Sequence, residues 1–544
     1  MTDKMIVTTA LPYANGPIHL GHLLEHIQTD IWVRFQRLTG KECIYVCAED
    51  AHGTATMLSA ESQNMSIDDW LAEMKTQHEK DLRMFGMSYD NYYTTHSAEN
   101  KQFSEQIYQQ LVAKDYIRHR RLKQLFDPEK KMFLADRFIK GTCPKCEKTD
   151  QYGDNCEHCG STYDAIELKN PYSLLSKAEP IVKESEHLFF CLPLFDKNLR
   201  EWMKTGIPQA EVRNKLKEWF DKGLQEWNIS RDPPYFGFTI PGYKDKYFYV
   251  WLDAPIGYMA SLANLCSQRG WEFNDIWQSS DYEIYHFIGK DIIYFHCLFW
   301  PALLEAGNFT RPTGVFAHGF VTVNGKKMSK SRGTFILAEK FARHLDGEYL
   351  RYYFATRLSD KVEDIDLNFD EFKARVNSDL VGKFVNIASR CAKFINKQFD
   401  NRLAAQLNEQ EEQLFNRLKD ASDEIAELYN SRQFSKAMRL IMQLADEVNQ
   451  YIEEVKPWEL SAANPQDRLI QQACTAGLNY FLLLATYLQP VLPQLVKRIC
   501  RLFGLDELKW QKSPTPLLDR PIASFSPLLV RIKDEQIREL TISN

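Results

Sequence analysis

The chain has 544 residues, 44% of them hydrophobic and 26% charged, with a formal net charge of −6. These are the proportions of a globular protein of about two to four domains. The acidic total weighs against a protein that coats DNA nonspecifically, and no apolar run reaches the roughly 18 residues of a membrane-spanning helix. Residues 1–7 lack the charged start, apolar stretch and cleavage site of an export signal. A cytoplasmic protein without a membrane segment is therefore expected.

Residues 4–10 (KMIVTTA) form a short apolar run of the kind found in a buried parallel strand. A loop with Pro12, Asn15, Gly16 and Pro17 follows. From His19 to Leu38 apolar residues recur at helical spacing, and Gly40 ends the pattern. Residues 43–48 (CIYVCA) read as a second buried strand, with residues 49–53 as its exit loop. Strand, helix, strand makes a right-handed crossover whose strand exits share one edge, and in open α/β sheets ligands sit at that edge. Helices are predicted over 67–87 and 99–114, strands and turns over 116–140, a strand over 187–193 and two helices over 195–226. Pro233, Pro234 and Gly237 then interrupt the chain. Strand-like runs resume at 247–251, 285–289 and 314–319. They predict the second half of the same sheet, split from the first by an insertion. From residue 370 the pattern is helical, with amphipathic segments at 370–399, 408–430, 433–455 and 467–502, which predicts an α-helical bundle.

Two stretches carry chemistry. The first is Ala10-Leu11-Pro12-Tyr13-Ala14-Asn15-Gly16-Pro17-Ile18-His19-Leu20-Gly21-His22. His19 and His22 are three apart and share a helix face. They fall in a first turn, where free N–H groups and the helix dipole favour an anion. Gly21 between them has no Cβ and admits a flat ligand such as an adenine ring. Paired imidazoles there can donate to phosphate oxygens, although alone they read sooner as a helix cap. The second stretch is Lys326-Lys327-Met328-Ser329-Lys330-Ser331-Arg332-Gly333. An electropositive loop of this kind can close over a triphosphate and stabilise charge at the α-phosphate. Alone it reads as a solvated basic loop. It is not a Walker loop, because no G-x-x-x-x-G-K-[ST] occurs.

Of twelve cysteines, eight are scattered and read as free thiols in a chain with no export signal. The other four, Cys143, Cys146, Cys156 and Cys159, are spaced C-x2-C-x9-C-x2-C. Four thiolates so spaced suit one closed, tetrahedral, structural zinc site. His158 is not needed as a ligand. Two disulfides are the alternative.

In their order, the two stretches resemble the HIGH and KMSKS signatures of class I aminoacyl-tRNA synthetases. Trp251-Leu252-Asp253-Ala254-Pro255-Ile256-Gly257-Tyr258 and His286-Phe287-Ile288-Gly289-Lys290-Asp291 resemble the methionyl-tRNA synthetases in particular. So do Val385-Asn386-Ile387-Ala388-Ser389-Arg390 and Lys456-Pro457-Trp458. The similarity covers essentially the whole chain and is to the bacterial zinc-containing type. It implies an α/β fold: a Rossmann-like parallel-sheet catalytic domain split by a zinc-binding insertion, followed by an α-helical bundle. The expected parts are 1–115 and 236–325 for the two catalytic halves and 116–235 for the insertion with its zinc knuckle. Residues 326–384 would form the KMSKS loop and stem-contact region, 385–524 the anticodon-binding domain, and 525–544 a segment folding back toward the catalytic domain.

The resemblance further implies that L-methionine and ATP form methionyl-adenylate, releasing pyrophosphate. The methionyl group then passes to the 3′-terminal adenosine of initiator and elongator tRNA(Met). His19, His22 and Lys330 would act in catalysis. His19, Gly21, His22, Gly289, Asp291, Lys327 and Lys330 would bind ATP, which brings Mg²⁺. Leu11, Tyr13, Asp50, Trp251, Ala254, Pro255, Tyr258 and His296 would bind methionine, with Asp50 on the α-ammonium and Tyr258 donating its hydroxyl to the sulfur. Arg231 matches a family position near the active site. Asn386, Arg390 and Trp458 would read the CAU anticodon, as splayed bases are read by stacking and polar contacts. Family members often dimerise through a C-terminal module that the sequence as given stops before, whether it is naturally short or truncated, so a monomer is expected of the chain as given. An insertion of this length is too short for the editing domain of the isoleucyl, valyl and leucyl enzymes. Two other functions share part of the pattern. A nucleotidylyltransferase has HIGH-like motifs but no use for the helical tail. A non-catalytic zinc and RNA-binding protein has no use for His19, His22 and Lys330. Methionine-dependent ATP–pyrophosphate exchange separates all three.

Overall fold

The computed structural model describes residues 3–156, 158–328 and 335–541. Its centre is a five-stranded sheet built from β1 (Lys4–Thr9), β2 (Glu42–Glu49), β3 (Asn91–Thr94), β4 (Tyr282–Gly289) and β5 (Gly314–His318), in the order β5-β4-β1-β2-β3. Every pairing is parallel. The strand order reverses between β1 and β4, so the crevice beyond their carboxyl ends is the switch point where α/β sheets bind ligands. Along the strands, alternate side chains enter opposite cores. Met5 and Val7 join one with Tyr45 and Phe287, and Ile6 joins the other with Ile44, Val46 and Ile288. Burial on both faces is why these strands read as continuous apolar runs.

Helix α1 (Leu20–Leu38) leaves the β1 loop and is buried nearly all round. One side packs on the sheet. The other meets the helical C-terminal half: Phe35 stacks on Tyr429 with centroids 5.0 Å apart, and Trp32 Nε1 donates to the Asn430 carbonyl at 3.2 Å. The first core therefore runs without a break from the sheet into the helices beyond residue 369.

Helices Ile67–Met84 and Ala98–Ala113 lie where the sequence predicts them, and Thr54–Ser62 is a further helix that it does not predict. The insertion is a long antiparallel ribbon of Ile117–Asp127 against Ile181–Phe190. It carries a small sheet of Ile139–Thr142, Gln151–Tyr152 and Lys169–Ser173, followed by helices Asp196–Gly206 and Ala210–Lys222. The run at 247–251 is not a strand of the main sheet. Tyr247–Phe248 pairs with Ser230–Arg231 and Tyr247 bridges Thr239, and Val250–Asp253 is a short helix. Its aromatic residues are covered by other rings instead of by sheet neighbours.

Three predicted long helices are broken. Residues 370–399 hold a π-helical stretch, Val376–Phe384, between Phe369–Arg375 and Val385–Gln398. Residues 408–430 divide into Glu409–Asp420 and Ser422–Asn430. Residues 467–502 divide into Arg468–Leu488 and Pro493–Phe503, because Pro490 and Pro493 have no N–H to continue the ladder. Helix Phe434–Val455 is continuous and ends at Lys456 in the left-handed region. The last described helix, Asp534–Thr541, lies on Ala338–His344, with Gln536 Nε2 donating to the His344 carbonyl at 2.7 Å. Among the described residues no helix is long and apolar enough to cross a membrane.

Candidate active site

The site begins at the start of α1. His19 is its N-cap, with extended backbone, and its Nδ1 accepts the Gly21 N–H at 3.1 Å. His22 Nδ1 accepts the His19 N–H at 3.4 Å, and the two rings stack with centroids 3.8 Å apart. An Nδ1 that accepts carries no hydrogen, so each neutral ring has its hydrogen on Nε2. Burial, then His19, His26 and His78, hold the His22 pKa well below its ordinary value. The cap thus leaves neutral imidazoles in the tautomer that donates through Nε2. No acidic residue lies in the first turn of α1, so the positive end of its dipole is not offset there.

A turn later Glu25 accepts from Thr9 Oγ1 at 2.8 Å and stands 3.4 Å from His318 Nε2, which ties α1 to the ends of β1 and β5. At Gly289, the end of β4, an added Cβ would fall 2.6 Å from Asp291 Oδ1, so any side chain there would displace the Asp291 carboxyl. The loop before α1 is held from behind. Trp70 Nε1 donates to the Ala14 carbonyl and His78 Nε2 to the Gly16 carbonyl, each at 2.8 Å.

The second signature comes to the same place. Asn324 and Gly325 both have positive φ and make the turn of a hairpin pairing Val321–Val323 with Lys326–Lys327. Met328 follows and meets Gly21, where an added Cβ would lie 3.0 Å from Met328 Cε and 2.9 Å from His19 Cε1. Lys330 lies outside the described residues. On the return, Phe335 sets its ring 4.9 Å from that of His19. The Leu20 N–H then donates to the Ile336 carbonyl at 3.1 Å, and the Ala338 N–H to the Ile18 carbonyl at 2.9 Å.

The expected amino-acid pocket lies across β1 and β2. Tyr13 and Asp50 form a parallel bridge, with the Ala14 N–H on the Asp50 carbonyl and the Asp50 N–H on the Pro12 carbonyl, both 2.8 Å. Asp50 Oδ1 is buried and has no hydrogen-bond partner among the described residues. Burial, then Asp253, raise its pKa well above the usual carboxylate range. Leu11 touches the same wall, 2.8 Å from where Gly257 would carry a Cβ. Ala254, Pro255 and Tyr258 are buried beside it.

Trp251 is half-buried and lies flat on Phe295, 3.9 Å between centroids at 5°. Tyr258 differs from expectation. His296 Nδ1 faces the Ile292 carbonyl at 3.2 Å and must donate to it, so Nε2 accepts the Tyr258 hydroxyl at 2.8 Å. The hydroxyl proton is therefore spent on His296 and is not available to a sulfur. Arg231 stacks on Tyr249 at 3.6 Å and lines a cavity of about 450 Å³ between Tyr13 and the insertion's Phe133 and Phe138.

The four clustered cysteines meet: their Sγ atoms all lie within 4.8 Å of one another, with 3.9 Å between Cys143 and Cys159 and 3.6 Å between Cys146 and Cys156. Bonds of about 2.3 Å to a tetrahedral zinc place the sulfurs about 3.8 Å apart, so the cluster fits one ion. Backbone N–H groups of Lys145 and Cys159 point at Cys143 and Cys156 sulfurs, both at 3.4 Å, as they do toward thiolates.

In the helical half, the Arg390 guanidinium sits 4.3 Å over the Trp458 ring and pairs with Glu453 at 2.6 Å. Asn386 lies one turn before Arg390 on the same helix, Val385–Gln398.

Glu25, Trp70, His78, His318 and Phe295 carry no motif of their own. Only Glu25 had a sequence signal, continuing the three-residue spacing of His19 and His22.

The family model described as tRNA synthetases class I (M) matches residues 5–392. The model for the anticodon binding domain of methionyl tRNA ligase matches residues 403–540. Among solved structures, a Mycobacterium tuberculosis methionyl-tRNA synthetase in complex with methionyl-adenylate is 22% identical with a TM-score of 0.75, covering 93% of this chain and 94% of its own. A second structure of that enzyme bound by methionyl-adenylate is 21% identical with a TM-score of 0.79, covering 96% and 99%. At these identities the structural likeness speaks to the fold.

Proposed function

The chain belongs to the methionine members of the class I tRNA synthetases, and from that membership we propose how its residues divide the work. It is an aminoacyl-tRNA ligase that activates methionine with ATP and charges tRNA. His19, Gly21, His22, Gly289, Asp291, Lys327 and Lys330 bind ATP, which enters as its magnesium complex. Leu11, Tyr13, Asp50, Trp251, Ala254, Pro255, Tyr258 and His296 bind methionine. Asn386, Arg390 and Trp458 read the anticodon of initiator and elongator tRNA(Met). Cys143, Cys146, Cys156 and Cys159 hold one zinc ion that keeps the knuckle folded. The enzyme works in the cytoplasm.

The methionine carboxylate attacks the α-phosphate, so no protein nucleophile is needed. The protein positions the reactants and stabilises charge. Asp50 takes the α-ammonium on its unpartnered oxygen. The Nε2–H groups of His19 and His22, at the positive end of α1, donate to phosphate oxygens. Lys330 adds charge as pyrophosphate leaves. The aromatic wall suits the flexible thioether, since sulfur makes favourable contacts with rings.

The reading is carried by the meeting of the two signatures, Met328 against Gly21 and residues 336–338 bonded to residues 18–20. The test is ATP–pyrophosphate exchange. Methionine should drive it, while leucine, isoleucine and cysteine should not. Exchange that ignores methionine would refute the assignment.

A further inference from the structure

Beside the residues read as the methionine pocket lies a buried polar cluster, of which only Asp253 falls in a stretch that carries the resemblance. His52 is wholly buried and Asp253 is 1% exposed. His52 Nδ1 donates to Asp253 Oδ2. His52 Nε2 meets Nδ1 of the exposed His96 at 3.0 Å. The rings of Phe236 and Phe238 close edge-on over His52. Asn100 Nδ2 donates to the Asp253 carbonyl at 3.2 Å, and the Ala51 N–H donates to Thr95 Oγ1 at 2.9 Å. Both nitrogens of the His52 ring are therefore engaged, and its orientation is fixed.

The position of this pair is what matters. His52 is two residues from Asp50 on the β2 exit loop, and Asp253 is two residues from Trp251 on the short helix Val250–Asp253. These two segments share neither a strand ladder nor a helix, and they are 201 residues apart along the chain at the paired atoms. A buried polar pair is not an economical way to join them, since burying polar groups costs more than burying apolar residues of similar volume. What it supplies is a fixed direction and distance. Asp253 Oδ1 also remains buried without a hydrogen-bond partner among the described residues, as does Asp50 Oδ1.

We propose that His52 and Asp253 are positioning residues that clamp the Asp50 wall of the methionine pocket to its Trp251 wall, with His96 fixing the His52 ring from outside. The proposal rests on the reading that Asp50 and Trp251 line that pocket. The clamp sets how well the α-ammonium and the thioether are met together, and it does not touch ATP. Misplacing a binding group by about 1 Å is enough for effects of up to roughly a hundredfold.

The experiment compares His52→Leu, His52→Asn and Asp253→Asn in ATP–pyrophosphate exchange, with Asp50→Asn alongside. The side-chain amide nitrogen of Asn stands where Nδ1 of His does, so His52→Asn keeps the donor to Asp253 and His52→Leu does not. His52→Leu and Asp253→Asn should raise the methionine KM about tenfold or more, leaving the ATP KM unchanged. His52→Asn should restore the methionine KM to within about threefold of the parent, whereas His52→Leu, which leaves the buried Asp253 carboxyl without its partner, should melt lower than the parent. A methionine KM unchanged in His52→Leu and Asp253→Asn overturns the clamp. So does a parallel rise in both KM values, which is the mark of a merely structural pair. Should His52→Leu not fold, Asp253→Asn and His52→Asn still decide it. If Asp50→Asn also leaves the methionine KM unchanged, the pocket assignment has failed; if Asp50→Asn raises it and the others do not, only the clamp has.

Discussion

Replacing Asp50 with Asn should act in opposite directions on stability and on binding. In the free protein the Asp50 carboxyl is enclosed, one oxygen has no partner, and its pKa is raised by burial and then by Asp253. A carboxyl with a raised folded pKa binds its proton more tightly folded than unfolded. Its cost is therefore absent below the unfolded value near about 4 and grows as pH rises toward the folded one. An uncompensated buried group costs about 1–3 kcal/mol, so Asp50→Asn should stabilise the ligand-free enzyme by about that much at pH 8. The gain should fade as both forms become neutral toward pH 4. With methionine the sign reverses. The α-ammonium loses a charged acceptor worth about 1.5–3 kcal/mol, which corresponds to a methionine KM about 10- to 100-fold higher. Thermal unfolding across that pH range gives the first quantity, and ATP–pyrophosphate exchange at varied methionine gives the second. An Asn variant less stable than the parent at pH 8, or one with an unchanged methionine KM, would refute the reasoning.

The cap of α1 gives a way to separate folding from chemistry. Asn is among the best N-caps, so His19→Asn should keep stability while losing the Nε2–H donor, and His19→Ala should lose about 1 kcal/mol as well; both should exchange pyrophosphate about a hundredfold more slowly. Equal exchange in His19→Asn and the parent would leave His19 only a cap. Gly21→Ala would place its Cβ 2.9 Å from His19 and 3.0 Å from Met328, and it should slow exchange with little change in the methionine KM. The purified chain should carry one zinc ion by atomic absorption, and replacing all four cluster cysteines with Ser should remove it and lower the melting temperature; full melting temperature without metal would sink that site. Trp458→Ala removes the ring under Arg390, so tRNA charging should fall at least tenfold while exchange stays at the parent rate, and equal loss in both assays would contradict an anticodon role.

The parts legible in the sequence are those whose signal is local. Residues 4–10, 19–38 and 43–48 each carry their own period, and they appear as β1, α1 and β2 with ends shifted by a residue or so. The cysteine spacing is likewise a short-range constraint, and the four sulfurs meet as it requires. The run Tyr247-Phe248-Tyr249-Val250-Trp251 misled because five apolar residues look alike whether a sheet or a stack of rings buries them. The Trp251 ring is covered by Phe295, on a π-helical stretch, Phe295–Phe299, whose extra residue per turn leaves no clean period to detect. Val376–Phe384 hid inside a long helical pattern for the same reason. An overlooked local signal was Asn324-Gly325, the dipeptide that favours a tight hairpin and that sets Lys327 and Met328 on their course toward α1.

Contacts that join distant segments had no such signal, and they define what the cleft can do. His19 and His22 were legible as a pair, but their tautomer was not. It follows from which backbone N–H groups the two Nδ1 atoms accept. Tyr258 was legible as a pocket residue, but its proton was not, because His296 and the Ile292 carbonyl decide where it goes. In each case the sequence supplies the group and the fold supplies its hydrogen. Under the proposed reading, residues such as His52, His78 and His296, which orient other groups, set the selectivity. Changes there should alter KM for one substrate at a time, whereas changes at the signatures should slow activation itself.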